Sequence, residues 1–333
     1  MSSETPASDS LELFEQFLRI FRTYGLLILL IFGIFGNALS FVIFLRVGRR
    51  ADALTEYLTC LAVSDTGTLL LKGGGYWLRD GLPELTNGMI SINMVGTNAS
   101  CKILLYAVHV TECISGWIIA TFSLERAIIV WYPLRRHEFT SGKRRVIIVV
   151  ICLAAIAVSI HRLFLVEMIY VNGNQACFYP AGELLSAIFQ IDTALYIYFP
   201  CGLIFVANIT IITGIIKSHK FARDQLQSVT RQPKEGGLII SLMSVSTLYV
   251  ILLLPASGFW PYMLLANDDP SSDKDKLTLV LHVSTFLVQL SAINYCCNLI
   301  IYGFTLAFYR QEAAKICTTV CVRLCCCWPR KKE

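Results

Sequence analysis

A chain of 333 residues with 55% hydrophobic side chains, 15% charged and a mean hydropathy of +0.62 is too apolar to be a soluble enzyme of that length. Its formal net charge of +5 gathers in particular linkers, so it speaks for membrane topology and not for nucleic-acid binding.

In chain order, residues 1–23 are polar and too few for a folded outer domain. The polar start runs to Arg22 and the first apolar run exceeds a signal core, so no cleavable signal peptide is expected. Seven apolar stretches follow, at Tyr24–Leu45, Leu54–Tyr76, Lys102–Trp131, Val146–Val166, Leu185–Ile216, Leu238–Leu265 and Leu277–Phe304. Each is long enough to cross a hydrocarbon core of about 30 Å as a helix. Helices satisfy their own backbone groups in lipid, so residues 24–304 are predicted to form an all-α membrane bundle of seven spans.

The linkers after spans one, three and five carry Arg46, Arg49 and Arg50, then Arg135, Arg136, Lys143, Arg144 and Arg145, then Lys217, Lys220, Arg223, Arg231 and Lys234. The opposite linkers hold Asp80, Glu84, Asp268, Asp269, Asp273 and Asp275. Basic loops stay inside, so the N-terminus is predicted outside and the C-terminus in the cytoplasm.

Between spans four and five, Glu167 to Pro180 alternates about Asn172-Gly173, a β-hairpin signal. Of 13 cysteines, only Cys101 and Cys177 fall at the outer surface, where a disulfide persists and can tie this hairpin to span three. Asn98-Ala99-Ser100 is a glycosylation sequon abutting Cys101. Residues 305–333 hold a short amphipathic helix, predicted to lie on the inner leaflet, and then a cysteine-rich tail. Cys317, Cys321, Cys325, Cys326 and Cys327 beside Arg323, Arg330, Lys331 and Lys332 point to palmitoylation on a basic, lipid-attracted patch; a zinc site is the alternative.

Polar residues inside the spans carry the functional signal, because hydrocarbon makes them expensive. Gly36-Asn37, Leu61-Ala62-Val63-Ser64-Asp65, Glu125-Arg126-Ala127 with Pro133-Leu134, Pro200, Pro255 and Asn298-Leu299-Ile300-Ile301-Tyr302 occur in order. Together they resemble the motifs of the rhodopsin-like G-protein-coupled receptors, from about Tyr24 to the tail. The run from Ile114 to Pro133 and Val63-Ser64-Asp65-Thr66 look most like invertebrate neuropeptide receptors of the FMRFamide-receptor-like kind.

The resemblance implies a receptor, not an enzyme, that activates heterotrimeric G proteins and meets arrestin. It assigns Asp65, Ser115, Asn294 and Asn298 to a mid-bundle cluster that holds a hydrated sodium ion or closes as a self-satisfied polar group; no other cofactor is implied. Arg126 is expected to pair with Glu125 and with Glu235, and Pro255, Asn298 and Tyr302 to take part when span six swings out. Four positions depart from the family pattern: Leu253 replaces a tryptophan, Leu299 a proline and Asn208 a tyrosine, and span four lacks its usual tryptophan. Val108 stands where amine receptors carry aspartate, and Ala292 where opsins carry lysine, which argues against both.

Helix phase turns Tyr76, His109, Glu112, Asp192, Tyr196 and Trp260 toward the outer half of the bundle. Two acids at that depth suggest a cationic ligand, such as an Arg-containing amidated peptide. Alternatively Glu112 pairs with His109 across i,i+3 for packing alone. A chemosensory receptor for small external molecules is a second reading. A transporter or intramembrane hydrolase is a distant third, with no inverted repeat or nucleophile to support it.

Overall fold

The computed structural model describes residues 6–48, 55–171, 174–180, 182–225, 233–267 and 274–326. Helix α1 runs without interruption through Pro6–Ile20, Phe21–Gly25 and Leu26–Val47. It therefore starts well before the span expected from Tyr24. The reason lies in packing: Phe14, Phe17 and Phe21 meet Phe286 with ring centroids 6.4, 5.6 and 5.4 Å away. Edge-on aromatic contacts of this kind hold a segment that composition alone reads as a polar leader.

Helix α2 runs from Thr55–Thr68 through two π-helical turns, Leu69–Gly73 and Trp77–Gly81, to Leu82–Leu85. Asp65, Lys72 and Gly73-Gly74-Gly75 dilute its apolar character. Six other described helices are long and apolar enough to cross a membrane. Helix α2 makes the seventh span by packing between α1 and α3.

Helix α3, Asn98–Trp131, begins at a capping box in which Thr97 and Ser100 each accept from the other's backbone N–H. It runs through the middle of the bundle against α2, α4 (Ser141–Ser159, with a further turn at Arg162–Leu165), α5 and α6. Helix α5 joins Glu183–Thr193, a π turn at Ala194–Tyr198 and Phe199–Gln225. Helix α6 is Pro233–Asn267. Helix α7 runs as Lys274–Leu290, Ala292–Cys296 and Asn298–Thr305, broken at Ser291 and Cys297, and α8 is Ala307–Cys326.

Strands β1 (Glu167–Val171) and β2 (Asn174–Phe178) pair antiparallel with Glu167 opposite Phe178 and Val171 opposite Asn174. This is the expected hairpin; Asn172 and Gly173 at its tip lie outside the described residues. Cys101 and Cys177 form the expected disulfide, which moors β2 to the first turn of α3.

The main core gathers Phe44, Tyr57, Ile118, Phe122, Ile204 and Tyr302 from five helices. Outward faces stay apolar, with Ile31, Phe35, Val146 and Phe205 all more than 60% exposed, as a lipid-facing surface requires. Gly116 allows α6 close to α3, since a Cβ there would run into the Tyr249 hydroxyl.

Candidate functional site

Beneath the hairpin, α2, α3, α5, α6 and α7 enclose a cavity of about 360 Å³, within the size range of small-ligand sites. Three of the six expected ligand residues line it: Tyr76, Glu112 and Tyr196. His109 and Asp192 stand behind the wall, 1% and 2% exposed. Trp260 lies on α6 with its side chain outside the described residues. Lys72, Arg79 and Arg162, which carry the cavity's cations, were missed in the sequence.

Each expected acid is already matched. Glu112 Oε1 accepts from Lys72 Nζ at 2.6 Å and from the Tyr295 hydroxyl at 3.4 Å, which joins α2, α3 and α7. Asp192 Oδ2 accepts from Arg162 Nη2 at 2.5 Å, and its other oxygen lies 3.3 Å from His109 Nε2. His109 turns its Nδ1 to Ser159 Oγ at 2.8 Å, so the structure does not bring it to Glu112. His161 lies 3.7 Å from Asp192 and shares a hydrogen bond with the Tyr179 hydroxyl at 2.7 Å. Burial pushes the Tyr179 phenol up to about 12, which leaves it neutral across physiological pH.

Midway down the bundle, Asp65 is 1% exposed and accepts from Ser115 Oγ at 2.6 Å and Asn298 Nδ2 at 2.7 Å. Asn294 is buried nearby on the same face of α7, one turn from Asn298. The Oδ1 atoms of Asn294 and Asn298 have no hydrogen-bond partner among the described residues. An all-oxygen set with two buried acceptors unpaired is the chemistry a small hard cation requires. Asn37 Nδ2 donates to the Tyr295 carbonyl at 2.8 Å and ties α1 to this part of α7.

At the far end, Glu125 and Arg126 are 3% and 9% exposed. Glu125 is held by Arg144 of α4, whose Nη2 donates at 2.7 Å and whose Nε lies 3.1 and 3.2 Å from the two carboxylate oxygens. Arg144 also lies 3.9 Å from Glu56, and Ser141 donates to that same carboxylate. The sequence expectation gave Glu125 to Arg126 and did not foresee Arg144. Glu235 sits in the first turn of α6 with its side chain outside the described residues.

Tyr302 is buried against Phe44 and Tyr309, and the Tyr309 hydroxyl bonds Ser40 Oγ at 2.8 Å. Pro255 faces outward from α6, while Leu253 beside it turns into the cavity. Asn208 and Ser246 exchange hydrogen bonds at 3.0 and 3.1 Å between α5 and α6, a clasp the sequence reading did not contain.

Asn98 opens α3, where its Oδ1 accepts from the Met168 N–H at 3.2 Å. Cys317, Cys321, Cys325 and Cys326 fall on α8, with Cys317 exposed; Cys327 lies outside the described residues.

Cysteinyl leukotriene receptor 2 of Homo sapiens is 26% identical over 130 residues, covering 38% of this chain and 34% of that protein. The receptor of the same name from Sus scrofa is 26% identical over 132 residues, 39% of this chain and 35% of its own. The matched segment thus spans about a third of each relative's length. Residues 36–302 match the family described as 7 transmembrane receptor (rhodopsin family), a stretch that runs from within the first span to within the seventh and holds the Asp65 cluster and Glu125-Arg126. The chain belongs to that family of seven-transmembrane receptors.

Proposed function

We propose that this chain is a plasma-membrane receptor that binds an extracellular ligand in the cavity under the hairpin and activates heterotrimeric G proteins through outward movement of α6. The observation that carries this reading is the chain of buried polar contacts from the cavity floor to the Asp65 cluster in mid-bundle. The cavity floor at Glu112 bonds Tyr295; α7 then bears Asn294 and Asn298, and Asp65 bonds Asn298 and Ser115. A ligand that repacks the cavity therefore acts on helices whose polar contacts reach the middle of the bundle. In this reading the N-terminus lies outside and the C-terminus in the cytoplasm, where arrestin and membrane lipids would meet α8 and its cysteines, the expected palmitoylation sites.

A sodium ion would be held by Asp65, Ser115, Asn294 and Asn298 and would add a positive charge favouring the inactive packing. The switch expected of Glu125, Arg126 and Glu235, with Pro255 and Tyr302, belongs to the same proposal. Asn208 and Ser246 add to it, because α6 cannot leave α5 without parting them. Hydrogen bonds between membrane helices contribute about 0.6 to 1.7 kcal/mol. Asn208→Val is therefore expected to raise ligand-free nucleotide exchange roughly three- to eighteen-fold at equal surface expression. Unchanged basal exchange would take the clasp off the activation route.

For the ligand, the sequence favours an Arg-containing amidated neuropeptide, and the relatives' names point to cysteinyl leukotrienes instead. A small external molecule fits the cavity volume better than a basic peptide fits its charges, since Glu112 and Asp192 are already paired. The test is calcium release through promiscuous G proteins in cells displaying the chain, challenged with amidated peptides, amines and small lipid acids. A saturable response lost in Arg126→Ala is expected. Silence across the panel at confirmed surface expression would count against the receptor reading.

A further inference from the structure

We infer that the hairpin-end cavity accepts a ligand carrying a carboxylate on a largely apolar body, with Lys72 and Arg162 receiving the acid. The inference rests on the reading of this cavity as the ligand site and names the class of ligand. Among the described residues, three cations, Lys72, Arg79 and Arg162, line the cavity against one acid, Glu112. Asp192, the partner of Arg162, is not part of the lining and faces the guanidinium from behind.

The donors are not used up. Arg162 is 8% exposed, and its Nε has no hydrogen-bond partner among the described residues. A buried N–H without an acceptor is rare in folded proteins and needs a reason. Lys72 has three N–H donors, and the Glu112 oxygen at 2.6 Å takes one. A carboxylate is the group that answers both, since charge-assisted bonds to ammonium and guanidinium are the strong ones. Arg79 at the mouth is engaged by both oxygens of Asp80, at 2.6 and 2.8 Å, and is a weaker receiver.

The remaining wall is apolar, with Leu71, Leu105, Val108, Phe189 and Leu253 available to the ligand body. A cationic guest would have to take Glu112 from Lys72 and leave an ammonium facing its own charge. In a site of low polarity that arrangement is strongly unfavourable. The cavity thus selects against the basic peptide that the acids alone suggested.

The test uses the full chain in lipid nanodiscs and two matched sets of probes. One set is a long polyunsaturated fatty acid, its glycine conjugate and its methyl ester. The other is an apolar tetrapeptide with a free or an amidated carboxyl end. Competition binding is expected to favour the free acids over ester or amide by about ten- to hundredfold. Whichever set shows saturable binding identifies the source of the acid.

Arg162→Gln together with Asp192→Asn removes the charge pair without stranding either partner and should bring acid and ester within about twofold. Should that chain fail to fold, Lys72→Gln with Glu112→Gln asks the same question. Equal binding of acid and ester, an unaltered acid preference in the double variants, no acid bound at all, or binding of an Arg-containing amidated peptide alone would each overturn the inference. Basal nucleotide exchange measured in parallel separates this from the receptor reading. If exchange still depends on Arg126 while the acid preference is absent, only the ligand class has failed.

Discussion

Arg144→Ala is expected to destabilise the folded chain by about 3–5 kcal/mol, the usual result of removing one partner of a buried ion pair. Arg144 is 6% exposed and Glu125 3%, so deletion leaves a carboxylate in the bundle that water cannot reach. The bonds are forked, with Nε and Nη2 of one guanidinium on one carboxylate, and lysine cannot reproduce that geometry. Arg144→Lys should therefore recover only part of the loss. Arg144→Ala with Glu125→Gln should recover most of it, because the stranded charge is gone. Thermal unfolding in detergent reads all three variants. A loss below about 1 kcal/mol for Arg144→Ala would place the pair in the solvent-screened class and remove it as a brace between α3 and α4.

A second large effect is expected at Asp192. On α5 it is 2% exposed and faces Arg162, His109 and His161, which come from α3 and the end of α4. Asp192→Ala leaves the Arg162 guanidinium buried without its counter-charge, again at a cost of about 3–5 kcal/mol. Most of that variant should fail to reach the cell surface. Asp192→Leu with Arg162→Leu should return stability to within about 1 kcal/mol of the starting chain, since apolar side chains of similar size often replace buried ion pairs without loss. Surface labelling separates the two cases. Equal surface levels for the single and the double variant would show that burial at Asp192 is not what makes the pair costly to break.

Much of the fold was legible in the residues. Apolar length marked the spans, Asn172-Gly173 marked the hairpin, and compartment marked Cys101 and Cys177 as the disulfide. The helical start at Pro6 was not legible, because Phe14 and Phe17 read as part of a polar segment until Phe286 is placed beside them. The site was legible by type and not by partner. The sequence turns both Glu112 and Asp192 to the outer half of the bundle, but that only Glu112 of the two lines the cavity, and which cation each meets, depends on how helices cross, which chain-local periodicity does not contain.

Lys72 still left a signal. A lysine within a span must find an acid at its own depth. It lies seven residues outward of Asp65, about 10 Å along the helix, and Glu112 lies one turn outward of Ser115, which bonds Asp65. A side chain as long as lysine covers the difference. Arg144 was harder to see, because in the linker reading it was one basic residue among several, and only the rotation of α4 singles it out.

Receptor activity is read most directly as nucleotide exchange on a purified heterotrimeric G protein, with the full chain in lipid nanodiscs, compared with Arg126→Ala in matched discs. Exchange is expected above that of the G protein alone, raised further by a cavity ligand and returned to baseline in Arg126→Ala. Exchange no faster with the folded, ligand-bound chain than with empty discs would contradict the receptor reading.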